Sequence, residues 1–113
     1  MDPKIQQWII WDGDVFYCRM ARNQFEVDLN LPKGAKGTLR LYIIDPDNFQ
    51  GGRKETIAVG GDTVGTFENF QQGRWIDVPV GAEKTADGKL SIQVANARKG
   101  SNAVLSNIIW LEQ

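Results

Sequence analysis

Apolar and polar side chains alternate in steps of two along most of the chain, and no window carries a sustained helical stripe. The clearest run is QFEVDLNL, in which Phe25, Val27, Leu29 and Leu31 share one side and Glu26, Asp28 and Asn30 the other. Successive residues of a strand point to opposite faces, so this segment is predicted to be a strand with one wet face. PKGAKG turns the chain into TLRLYIID, where Leu39, Leu41 and Ile43 alternate with Arg40 and Tyr42. We expect these two strands to pair antiparallel. KETIAVGG ends on Gly60 and Gly61, and RWIDVPV sets Ile76, Val78 and Val80 inward with Trp75 outward. Pro79 in that run suits an edge or a strand end, because proline has no N–H for the ladder. TADG is a turn signal before KLSIQVANA, where Leu90, Ile92 and Val94 alternate with Lys89, Ser91 and Gln93. WIIW near the start and AVLSNIIWL near the end are apolar on both sides. Each is expected where both faces are covered, with the two termini as neighbours in one sheet.

With DVFYCRM included, these runs make about eight short strands separated by turn signals, the pattern of an all-β sandwich or barrel. The connections are too short for crossover helices, which requires antiparallel pairing. No linker or repeat divides the chain, and 113 residues suffice for one core, so residues 1–113 read as a single domain.

Composition then narrows the chemistry. A net charge of -1, with acids and bases interspersed, supplies no basic stripe for a phosphate backbone, so nucleic acid is not an expected partner. The lone cysteine, Cys18, can form no internal disulfide and reads as a core residue. Histidine is absent, which removes the commonest general base and metal ligand and every Ser-His or Cys-His nucleophile arrangement. The apolar run in MDPKIQQWIIWDGD is too short for a secretory signal or a membrane span, so no membrane partner is expected. We expect a domain excised from a larger exported protein, and a secreted or extracellular setting as part of that parent.

The least uniform stretch is IIDPDNFQGGRKETIAVGG. Glycoside cleavage needs two carboxylates about 5 to 9 Å apart across a cleft that raises one pKa. Asp45 and Asp47 flank Pro46 on a turn, where water is expected to keep both ionised, so catalysis ranks last. Calcium takes oxygens from carboxylates, amides and carbonyls, and Asp45 and Asp47 are its candidate ligands, although Asp-Pro and Asp-Asn are equally plain turn formers. Asp12 and Asp14 in WDGD carry the same ambiguity. Sugar binding needs an aromatic ring to stack on a pyranose and planar polar groups for its hydroxyls. Phe49 offers the ring, Asp47, Asn48 and Arg53 the polar groups, and Tyr17, Arg19, Arg98 and Asn102 could also line a site. A solvated turn is the leading reading, a ligand rim the second and a metal site the third. Trp8, Trp11 and Trp110 lie in apolar strands and are expected in the core or covering a sheet.

From Leu31 to Glu112 the order of motifs resembles a galactose-binding-like jelly-roll β-sandwich, a fold that includes many carbohydrate-binding modules of bacterial glycoside hydrolases. The matching pieces are the glycine turn Gly60 and Gly61, the pair Gly73 and Trp75, the run Gly88 to Ile92, and Asn102 to Ser106. The opening third matches less well. The resemblance implies a non-catalytic module that holds a polysaccharide-active enzyme near its oligo- or polysaccharide substrate. The alternative is a structural or protein-interaction sandwich packed against a catalytic domain of the parent chain. The fold hosts both, so the sugar reading is one of analogy.

Overall fold

The structure, a computed structural model, describes residues 4–9, 19–21, 24–45, 52–98 and 103–113. Ten strands lie among them: β1 (Lys4–Ile9), β2 (Arg19–Ala21), β3 (Gln24–Asn30), β4 (Gly37–Ile43), β5 (Lys54–Val59), β6 (Asp62–Glu68), β7 (Arg74–Val80), β8 (Lys89–Asn96), β9 (Ala103–Leu105) and β10 (Asn107–Glu112). One short 3-10 turn, Ala82–Thr85, joins β7 to β8. All pairings are antiparallel, as the short connections require.

Two four-stranded sheets make the sandwich, one ordered β1-β10-β4-β7 and the other β3-β8-β5-β6, with β2 and β9 forming a short two-stranded ladder. Alternation decides which residues meet between the sheets. Leu39, Leu41 and Ile43 of β4, with Ile76 and Val80 of β7 and Ile108 and Trp110 of β10, come from the first sheet. Phe25 and Leu29 of β3, Leu90, Ile92 and Val94 of β8, and Ile57 and Val59 of β5 come from the second. The termini are neighbours as expected, since Lys4 to Ile9 pair with Glu112 to Asn107.

Three expectations are corrected. β3 and β4 do not pair: β3 pairs with β8, and β4 lies between β10 and β7. Both strands turn an apolar side inward, but from opposite layers, so the connection between them crosses from one sheet to the other. The run 103–111 is two strands, β9 and β10, interrupted at Ser106, whose N–H donates to the Tyr42 carbonyl at 2.9 Å. A further strand, β6, follows β5 through the two-residue turn Gly60-Gly61. Both glycines have positive φ, 59° and 87°, which the favoured hairpin turn demands and L side chains resist. Ile57 pairs with Gly65 and Ala58 with Thr63, so Val64 is an extra residue bulging from β6.

Candidate functional site

β5 begins and β8 ends at one end of the second sheet, so the segments carrying residues 46–51 and 99–102 attach there. Asp45, which leads into the first of these segments, is 1% exposed, and Arg53, which closes it, is 3% exposed. The Arg53 backbone N–H donates to Asp45 Oδ2 at 2.8 Å, and its guanidinium Nη1 donates to Oδ1. The expectation that water surrounds Asp45 is therefore overturned. The pair clamps the two ends of the segment together from inside, because a buried charge persists only with a partner and hydrogen bonds.

Glu55 lies beside this pair and is fully buried. Its Oε1 accepts from the Val104 N–H at 2.9 Å, tying β5 to β9, while Oε2 has no partner among the described residues. Burial pushes its carboxyl up to about 8, opposed by the Val104 hydrogen bond and the Arg53 charge and reinforced by the Asp45 charge. At neutral pH the group is therefore largely protonated. Sequence reasoning missed it, although Glu55 is in phase with the core residues Ile57 and Val59, and an acid at that phase is a legible signal.

Arg98 sits at the same end. Its guanidinium donates to the Gly52 carbonyl at 2.6 Å and to Glu68 Oε2 at 3.2 Å, and its own N–H donates to Asn96 Oδ1 at 3.0 Å. Arg53 and Arg98 are thus brought to one end of the sandwich, Arg53 inside it and Arg98 on its rim. Tyr17, Asp47, Asn48, Phe49 and Asn102 lie outside the described residues, as do Asp12, Asp14 and Cys18. For calcium, both Asp45 oxygens already accept from Arg53, so Asp45 as placed does not fit a cation site. No cluster of three or more metal-ligating side chains occurs among the described residues.

The open site is on the wet face of the second sheet. Register lines up Gln24, Ala95, Thr56 and Thr66 in one row across β3, β8, β5 and β6, and Glu26, Gln93, Ala58 and Thr63 in the next. Short side chains in the middle and long ones towards β3 leave a groove of about 370 Å³, with Ala58, Ala95 and Thr56 in its floor and Gln24, Glu26 and Gln93 around them. Its first row is the one nearest the end where Arg98 lies. The polar groups are held in place: Glu26 Oε1 accepts from the Ser91 hydroxyl at 2.5 Å, and the Thr56 and Thr66 hydroxyls share a hydrogen bond of 2.8 Å. The Ser91 hydrogen bond holds the Glu26 carboxyl below its ordinary range, so it is anionic at neutral pH. Two amides, a carboxylate and a hydroxyl over a floor of small residues can accept and donate to the hydroxyls of a chain laid along the sheet. None of these residues was singled out from sequence, because only cross-strand register brings them together.

The outer face of the first sheet is different. Trp75 on β7 is 41% exposed, and its ring packs against Tyr42 of β4, with centroids 4.8 Å apart and planes tilted by 48°. The Arg40 guanidinium lies 4.7 Å from the Trp75 ring centroid, and its Nε donates to Asp77 Oδ1 at 2.7 Å. Gly73 makes room for this packing: a Cβ there would fall 1.8 Å from the Tyr42 hydroxyl.

No protein-family model matches the chain, and no curated protein matches it. Solved structures do. A family 35 carbohydrate binding module from Clostridium thermocellum aligns with a TM-score of 0.56 at 9% identity, over 93% of this chain and 97% of that one. The CBM36-1 domain of a multidomain xylanase from the hindgut metagenome of Trinervitermes trinervoides gives 0.51 at 14% identity, over 97% and 96% of the two chains. Dimeric latent PorU from Porphyromonas gingivalis gives 0.57 at 15% identity, and there the whole of this chain spans 13% of the other. At such identities the likeness defines the fold. The chain has the β-sandwich of family 35 and 36 carbohydrate-binding modules, in agreement with the jelly-roll resemblance of its sequence motifs. No helix among the described residues is long and apolar enough to cross a membrane.

Proposed function

We propose that the protein is a non-catalytic carbohydrate-binding module, accessory to a polysaccharide-active enzyme in a secreted parent protein. The observation that carries this reading is the groove on the β3-β8-β5-β6 face, where Gln24, Glu26, Thr56 and Gln93 surround a floor of small side chains. A glycan strand lies along it and runs off towards the end of the sheet. There Phe49 of the 46–51 segment would serve as stacking ring, Asp47 and Asn48 of that segment and Asn102 of the 99–102 segment as hydroxyl partners, and Arg98, with Tyr17 from the stretch before β2, would line the rim. Arg53 supports this end from inside through Asp45. The two buried carboxyls, Asp45 and Glu55, are sealed from solvent, which favours binding over hydrolysis. On a tether, even a weak site raises the effective concentration of an attached enzyme at its substrate.

A glycan array tests the reading. The protein is expected to retain one class of oligosaccharide, and Gln93→Ala to weaken retention by about 2- to 10-fold, the value of one lost hydrogen bond. Failure of the wild type to retain any glycan overturns it. Repeating the array with a chelator tests calcium, for which Asp47 rather than Asp45 would supply the ligand.

A second reading, a sandwich docked on a catalytic domain of the parent chain, is favoured by one observation, the exposed Trp75 on the opposite face. A monodisperse, non-associating protein with unquenched binding of glycan argues against it.

A further inference from the structure

We propose that Glu26 makes the groove a selector of uncharged glycans, admitting neutral chains and turning away those that carry uronic acids. The inference rests on the carbohydrate-binding reading and narrows it to a ligand class. Among the described lining residues Glu26 is the ionisable one; Gln24, Thr56, Gln93, Ala58 and Ala95 are neutral, and the lining contains no lysine or arginine.

Glu26 is exposed, and the Ser91 hydroxyl on the neighbouring strand donates to its Oε1 at 2.5 Å, which favours this placement of the carboxylate. Glu26 also stands directly across from Gln93 in the β3–β8 register, so it belongs to the second of the two rows that line the groove and sets its charge at that edge, beside Ser91 in the row beyond. Of the cations at this end, Arg98 is engaged with Glu68 and the Gly52 carbonyl and Arg53 with Asp45 inside the sandwich, while Lys54 stands on the outward phase of β5 one row beyond Thr56 and outside the groove lining. A neutral hydroxyl donates to the Glu26 carboxylate and gains a charge-assisted hydrogen bond. A uronate in the same place brings a second negative charge and no donor of its own at that oxygen. At a separation of about 4 Å in water the repulsion is worth about fivefold in affinity, and salt weakens it.

The test is calorimetric titration at low ionic strength. The probes are β-linked hexamers of glucose, mannose and galactose, each set against the same chain oxidised to the uronate. The wild type is expected to bind its best neutral hexamer about fivefold more tightly than the uronate partner. Glu26→Gln, on the wet face and outside the core, is expected to bring the two within about twofold, because the uronate loses its repulsion and the neutral chain its charge-assisted hydrogen bond, and Gln93→Glu to widen the gap. Equal or tighter uronate binding by the wild type overturns the selectivity while leaving the glycan reading standing, as does a gap that Glu26→Gln leaves unchanged. Absence of binding to every hexamer, neutral and acidic, overturns the selectivity, and together with an empty glycan array it overturns both.

Discussion

The two outward faces of the sandwich are built on the same alternation and end up unlike. On the β3-β8-β5-β6 face the outward positions near the groove are Gln, Glu, Thr and Ala, held by hydrogen bonds between neighbouring strands, and the middle is hollow. On the β4-β7 face the outward positions are Tyr42, Arg40, Trp75 and Asp77, held by ring packing and an ion pair, and the centre is filled by an indole. A strand's period specifies which side a residue faces, but the size of cross-strand neighbours decides whether that side becomes a hollow or a platform.

The largest effect expected on this comparison comes from pH. Glu55 lies beneath the groove-bearing sheet with its carboxyl raised from 4.5 to about 8, so the folded state holds a proton that the unfolded chain releases. The stabilisation is fully present below 4.5 and is lost as pH rises towards about 8. Denaturant unfolding across that window is expected to show falling stability for the wild type and a flatter profile for Glu55→Gln, which keeps an acceptor for the Val104 N–H. Identical profiles would place the titrating group elsewhere.

Next in size is Gly73→Ala. Gly73 has φ 86°, and a Cβ would collide with the Tyr42 ring that supports Trp75, so a loss of about 1–3 kcal/mol is expected in thermal or denaturant melts. Because the damage lies on the aromatic face, glycan binding below the melting transition should survive. The smallest effect is that of Trp75→Ala, expected to cost under about 1 kcal/mol because the ring is already half in water. Glycan titration should match the wild type within about twofold; a larger loss would move the sugar site to the aromatic face.

Much of the fold is written locally. Leu39, Leu41 and Ile43, or Leu90, Ile92 and Val94, declare strand and facing together, and each is buried as its phase demands. The partner of a strand is not local, which is why β3 and β4, adjacent in sequence and similar in pattern, lie in different layers. β6 escaped notice because the extra residue Val64 breaks its alternation midway. The site was legible only in part. Arg53 follows two glycines and looks solvated, yet its burial depends on Asp45, eight residues away, reaching the same interior spot. The groove could not be read at all, since Thr56, Ala58 and Ala95 are unremarkable until register sets them side by side.

The outermost strands β6 and β7 bound the sandwich along one seam, where Val64 and Pro79 line a common hollow. A foreign strand seeking to extend either layer would find its hydrogen-bonding partner out of step at the bulge in one case and missing an N–H at the proline in the other. Along that seam the domain can thus leave the outward faces of its sheets open while offering poor footing for an added strand.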